Sequence, residues 1–270
     1  MARNPALNEK RFEDVRDEWE PGWAAPGQDV TATATADGVP PPAVRTGVMT
    51  ANGTFAKTFV LFLLVLAGGA VGWSQVTVGA ADQVEIPGWT WIFLIGAFIT
   101  AMVCIFKPKA SPFLAPLYAV MEGVFLGALS KAFEVRWDGI VFQAVLATIG
   151  VFFATLALYV FGIVKVTKRF AAVVIGATLG IFLLYLFGAL LSLFGVDVVF
   201  WNQPSALGII VSIAICIVAS LNLFLDYEFI RQSTIRGAPK YMEWYGGFGI
   251  MVTLVWIYIE MLRLLSLLRR

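Results

Sequence analysis

Three carboxylates stand inside long apolar runs of this chain: Glu122, Asp226 and Glu260. A charged side chain at mid-bilayer depth costs about 3 kcal/mol on insertion scales. Such a group needs a partner, a water-filled cavity or a proton. Asp226 closes one apolar run in LNLFLDYEFI, Leu221–Ile230. Glu260 sits within the next run, flanked by Ile257, Ile259 and Met261. Two carboxylates brought close on neighbouring helices cannot both ionise easily, so they share a proton and titrate as a pair. That is the chemistry of a pH switch. Carboxylate oxygens also suit Ca²⁺, a hard cation, which makes Asp226 and Glu260 candidate transient ligands.

Each acid has a competing, purely structural reading. Arg263 follows Glu260 by three residues, on the same helix face, so the two can form a local ion pair. Asp226 can snorkel to water or pair with Arg231, and Asn222, one turn earlier, extends a polar face inward. Glu122, between Met121 and Gly123, fits a protonated, hydrogen-bonded acid in helix packing; Gly123, Gly127 and Ala128 would let another helix approach closely. Gly176 and Gly180 form a GxxxG pair expected to face a neighbouring helix.

The elements that must position these groups are membrane helices. The chain is 59% hydrophobic and 14% charged over 270 residues, with a mean hydropathy of +0.82; soluble domains carry about 25% charged residues. A span needs about 20 apolar residues, and runs of that kind cover 54–74, 87–106, 112–133, 140–164, 171–195, 205–225 and 246–268. The class is therefore an all-α integral membrane protein with seven transmembrane helices. Trp73, Trp89, Trp91, Trp137 and Trp201 fall at run ends, where an aromatic belt belongs. Lys107, Lys109, Lys165, Lys168, Arg169, Arg231, Arg236 and Lys240 lie in alternate links. The positive-inside rule then places the N-terminus in the cytoplasm of a multi-pass cell-membrane protein. Seven crossings put the C-terminus outside, against the charge of Arg269 and Arg270.

Residues 1–53 are of different composition. They hold six of the 12 prolines, a TATATADG repeat and eight acidic against five basic residues. With too little apolar surface for a core, they are expected to form a disordered cytoplasmic tail before a 54–270 membrane domain.

Several function classes are excluded or disfavoured. There is no histidine, hence no His-ligated metal and no Ser-His or Cys-His nucleophile. Cys104 and Cys216 lie in apolar runs and read as small core residues. A net charge of +1 suggests no nucleic-acid partner. The GxGD segment of aspartyl intramembrane proteases is absent, since Phe224-Leu225 precede Asp226, and the last span lacks a retinal lysine. The chain is expected not to be an enzyme and to need no cofactor.

The segments LNLFLDYEFI and GAPKYMEWYGGFGIMVTLVWIYIEMLRLL resemble the C-terminal signature of the Bax inhibitor family (transmembrane Bax inhibitor motif proteins), in its bacterial branch. MEGVFLGALSKAFE (Met121–Glu134), GIVFQAVLAT (Gly139–Thr148) and IVKVTKRF (Ile163–Phe170) are similar to the same branch, and the likeness covers about 46–268. The resemblance implies two triple-helix layers wrapped around a central C-terminal helix, Val252–Leu265. It implies a pH-sensitive calcium leak channel, with Ca²⁺ and protons as permeant or titrating partners in a lipid bilayer. It assigns the switch to acids in the sixth and seventh helices, matched by Asp226 and Glu260. The second is Glu where the family has Asp, and the link between the two helices looks longer. A family base that latches the closed state has Lys107 or Lys109 as its nearest candidate. Two alternatives compete with the channel: a proton-coupled small-solute transporter, and a non-transporting, stress-regulatory interaction protein of the membrane.

Overall fold

The computed structural model describes residues 47–79, 83–195 and 205–269. The chain divides into two units, Met1–Thr46 and Gly47–Arg270. The first lies outside the described residues, as do Trp201 and Arg270. Of the expected 1–53 tail, residues 47–53 are described and belong to the second unit: Met49 is buried and the first helix already begins at Ala51.

Among the described residues the second unit has seven α-helices: α1 Ala51–Gln75, α2 Thr90–Phe106, α3 Ser111–Arg136, α4 Ile140–Val160, α5 Lys168–Leu193, α6 Ala206–Ile235 and α7 Met242–Leu268. A two-stranded hairpin, β1 Thr77–Val78 and β2 Val84–Glu85, links α1 to α2. Six helices are long and apolar enough to cross a membrane. The other, α2, has 17 residues, about 26 Å of helix and the short end of the spanning range.

The helix starts follow ordinary capping chemistry. Thr50, Thr167 and Ser205 each accept a hydrogen bond from the backbone N–H three residues on. Gly139, at φ 73°, precedes α4 in a left-handed conformation that favours glycine. Glu134 then accepts from the N–H groups of Gly139 and Val141 at 2.7 and 3.0 Å, satisfying donors at the start of α4. Interior hydroxyls turn back onto their own helices: Thr58 onto Thr54, Thr148 onto Ala144 and Thr155 onto Val151. No hydroxyl of that set is left facing an apolar medium, where it would be costly.

The outside of the bundle is apolar. Phe106 and Phe113 are 80% and 82% exposed, and Phe59, Ile92, Phe142 and Phe161 also point outward. A water-soluble surface does not carry so much contiguous apolar area. The inside is centred on α7, which packs against α1, α3, α4 and α6. It buries Phe248, Ile250, Met251, Ile257 and Leu262.

The closest approach is between α1 and α3. A Cβ added at Gly72 would stand 1.9 Å from the Val124 carbonyl oxygen, and one at Gly127 would stand 1.9 Å from that of Gly69. Gly123 meets the Val65 carbonyl in the same way. Small residues here let two backbones touch, as the sequence around Glu122 suggested. Gly176 and Gly180 differ from expectation. An added Cβ at either meets nothing within 4 Å, so this GxxxG face of α5 is open rather than packed.

The ends of the bundle are fixed by specific bonds. Met49 N–H donates to Ala238 O at 2.7 Å, Lys240 N–H to Gly47 O at 3.0 Å, and Ser111 Oγ to Tyr241 O at 3.0 Å. The starts of α1 and α3 therefore share one end with the α6–α7 link. At the other end Arg269 donates to Asp138 O and to Gln143. The last helix thus finishes at the end opposite to where α1 begins.

Two boundaries are corrected. The sixth helix does not stop at 225 but runs on to Ile235, and the link to α7 is only Arg236–Tyr241. The extension holds because Glu228 pairs with Arg231 at 2.6 Å and accepts from Gln232 and Tyr159, while Tyr227 and Ile230 are buried. The expected insertion is thus mostly helix: Met242–Gly247 are the first turns of α7. Asp226 therefore does not close its helix; it lies more than two turns before the helix end.

Candidate functional site

The three acids singled out in the sequence go to two different places. Asp226, on α6, accepts a hydrogen bond from Thr253 Oγ1 on α7 at 2.7 Å. A Cβ added at Gly249 would sit 3.4 Å from its other oxygen, so the carboxylate lies against one turn of α7. This turn borders a cavity of about 680 Å³ between α2, α3, α6 and α7. Glu122 lines the same cavity from α3, with Tyr118, Tyr245 and Thr253 as its other polar residues. Leu94, Phe98, Met102, Leu225, Phe229 and Val252 are among the apolar residues that line it; Phe98, Phe229 and Val252 are exposed, so the cavity is open on that side. Counted along their helices, Asp226, Glu122 and Thr253 all lie about 14 to 17 Å from the end carrying the α6–α7 link. Ile105, Tyr245 and Gly246 carry the cavity on to about one turn from that end, so the acids lie deep in a cavity that reaches it.

Glu260 is elsewhere. It is 2% exposed and accepts from Tyr185 OH on α5 at 2.5 Å and from Arg263 Nε at 3.0 Å. Arg263 Nη2 stands 2.7 Å from the same oxygen that Nε meets, Oε2, and the guanidinium lies 5.5 Å from the Tyr185 ring centre. The local ion pair weighed as an alternative is what forms. Thr253 and Glu260 are seven residues apart, about 10 Å along α7. Asp226 rests on the first and Arg263 on the second, so the expected proton-sharing pair of Asp226 and Glu260 is not assembled. A joint Ca²⁺ site on those two carboxylates is not assembled either. Among the described residues no group of three or more Cys, Asp or Glu side chains is placed to hold a metal.

The accessory residues have structural roles. Asn222 donates to Thr178 Oγ1 and to Val218 O, both at 2.8 Å, pinning α6 to α5. Lys107 caps α2 and Lys109 sits in the 3₁₀ turn Pro108–Ala110; both are exposed, and neither is in an ion pair among the described residues. A latch by either base is not seen. Cys104 and Cys216 are buried free thiols.

Sequence reasoning missed Glu243. It is 2% exposed and accepts from Thr50 N and Thr50 Oγ1 at 3.1 and 3.0 Å, just before α1. A carboxylate there meets the positive end of the α1 dipole. An acid inside the aromatic run YMEWY was the available signal, obscured by reading that run as a loop. Tyr185 and Thr253 were missed as well, because a lone tyrosine or threonine in an apolar run carries no signature of its partner.

No curated protein and no solved structure matches the chain. A family model does, over residues 4–270, and so takes in the N-terminal tail that the sequence likeness left out. With buried acids in a bundle of apolar helices and a match along nearly its whole length, the chain belongs to the Bax inhibitor 1 like family.

Proposed function

We propose that the protein is a pH-sensitive calcium leak channel of the cell membrane, without enzymatic activity. In this reading all seven helices cross, in two triple-helix layers around α7, with the N-terminus in the cytoplasm. The observation that carries it is the cavity with Asp226 and Glu122 on its wall. A buried carboxylate without a counter-charge must protonate or meet a cation. Among the described residues neither acid has a salt bridge, and no Lys or Arg lines the cavity. Such a wall favours cations over anions when ionised and loses that preference when protonated. Asp226 keeps the pH-sensing position. Glu260, neutralised by Arg263, acts at a second level of the same helix by holding α5 through Tyr185.

Proteoliposomes loaded with a Ca²⁺-sensitive dye test the reading. Purified protein should pass Ca²⁺ down its gradient, and the rate should change between about pH 6 and 8, the range a perturbed carboxylate can reach. Asp226→Asn should remove most of that dependence. Absence of Ca²⁺ flux at every pH in a folded sample would refute the channel and leave a transporter or a non-transporting regulator.

A further inference from the structure

We propose that residues 47–49 form a strap that closes the cavity's end beside the α6–α7 link and admits water and cations there when it lifts. The inference rests on the channel reading for its effect on flux.

The strap lies across the link. Met49 N–H donates to Ala238 O at 2.7 Å and Lys240 N–H to Gly47 O at 3.0 Å, with Val48 and Pro239 paired antiparallel between them. Ala238 cannot return a bond to Met49, because its own N–H donates to Ser233 O at 3.0 Å. Gly47, at φ 97°, turns the chain in the left-handed region that favours glycine. It is also where residues 1–46 join the bundle. The strap therefore hangs on two backbone bonds and one buried side chain.

That side chain is Met49, 1% exposed. A missing side chain makes its seat. A Cβ added at Gly246 would stand 3.3 Å from Met49 Cε, 3.2 Å from Ile230 Cγ1 and 3.0 Å from Thr54 Cγ2. The methionine tip thus wedges where α1, α6 and α7 meet. Gly246 and Tyr245 are also the α7 residues by which the cavity reaches toward the link, and Gly249, about one turn further, lies against Asp226. Met49 backs the wall at the cavity's end. In a bilayer the open side at Phe98, Phe229 and Val252 meets acyl chains, which leaves this end as the way in for water and ions.

The strap can lift without unfolding the helices it covers. Thr50, the next residue, is anchored: its N–H and Oγ1 donate to the buried Glu243 at 3.1 and 3.0 Å, and it caps α1. Thr50 is the pivot and Glu243 its pin. A segment held by two bonds and a flexible thioether side chain opens ahead of helices bonded along their whole length.

The test locks the strap. Facing residues of a non-hydrogen-bonded antiparallel pair have Cα atoms about 4.5 Å apart, within disulfide reach. Val48→Cys with Pro239→Cys can therefore cross-link in the full-length protein carrying Cys104→Ala and Cys216→Ala. In nanodiscs, hydrogen exchange at the Met49 and Lys240 amides should run as one set ahead of the α1 and α7 amides, and oxidation should slow both by about tenfold or more. In vesicles, oxidation should lower Ca²⁺ flux by about tenfold and reduction should restore it, since the lock removes the open population. Met49→Ala, which empties the wedge, should speed exchange at both amides and raise flux, and Met49→Leu should return both toward the parent. Circular dichroism checks folding. Should the cysteine variant not fold, Met49→Ala carries the test, and parental exchange and flux in it would overturn the strap. Strap amides that exchange no sooner than the helices would overturn it too. Flux indifferent to the cross-link would overturn the strap and keep the channel. The expected exchange without Ca²⁺ flux in any sample would refute the channel and keep the strap.

Discussion

Thr253 Oγ1 donates to Asp226 Oδ2 at 2.7 Å, and this bond joins α6 to the central helix at the wall of the cavity. The same hydroxyl lies 3.2 Å from the Gly249 carbonyl of its own helix. One side chain therefore spans two helices at the level where the acids face the cavity.

Removing that donor should be felt in both stability and pH response. Thr253→Val keeps the volume and leaves Asp226 with a methyl group in place of a hydroxyl. An unsatisfied buried acceptor costs about 1–3 kcal/mol, measurable as a lower unfolding temperature in detergent. The pH midpoint of Ca²⁺ flux should move from its parental value. Thr253→Ser should restore both, and a parental profile in Thr253→Val would disconnect the bond from gating.

The Glu260–Arg263 pair predicts a different pattern. Arg263→Met strands a buried carboxylate, and Glu260→Gln strands a buried guanidinium. Breaking one side of such a pair costs about 3–5 kcal/mol. The double variant Glu260→Gln with Arg263→Met should recover much of that loss, so the thermodynamic cycle is far from additive. Tyr185→Phe removes one neutral hydrogen bond and should cost about 1 kcal/mol. Additive losses in the cycle would contradict the pairing.

Glycine substitutions separate packing from lipid-facing helix. Leu at Gly72 or Gly127 would drive a side chain into backbone closer than 2 Å, with no flexible atom to yield. Both variants should fail to give a monodisperse folded protein. A Cβ added at Gly176 or Gly180 meets nothing within 4 Å, so Gly176→Leu and Gly180→Leu should match the parent in size-exclusion profile and melting temperature. Loss of folding in either would show an interface on α5 outside this single chain.

Glu243 should matter to the fold and not to flux selectivity. Glu243→Ala leaves Thr50 without its acceptor and α1 without the negative charge at its start. The expected cost is about 2 kcal/mol. Glu243→Gln, which can still accept from Thr50, should recover part of it. Thermal unfolding of the two variants, compared with Ca²⁺ flux at matched protein content, checks the separation.

What the sequence alone determined was set by transfer energy. Apolar runs near spanning length had to become helices, since lipid offers no other partner for their backbone. Seven helices therefore follow the seven runs, and buried carboxylates stand out because they are expensive there. Gly123 and Gly127 were legible as close-packing residues because small side chains serve that purpose wherever they fall on a spanning helix. Tertiary structure decided which acid meets which group. Asp226 and Glu260 were paired by likeness, but α6 continues to Ile235 and the link to α7 is short, so Asp226 falls opposite Thr253 instead. A shift of two turns along a helix leaves composition and periodicity unchanged and moves a carboxylate by about 10 Å, beyond the reach of direct contact. Gly176 and Gly180 show the same limit from the other side. Their spacing matches that of Gly123 and Gly127, yet only the latter pair has a neighbour, because which face of a helix meets another is fixed by the assembly of all seven.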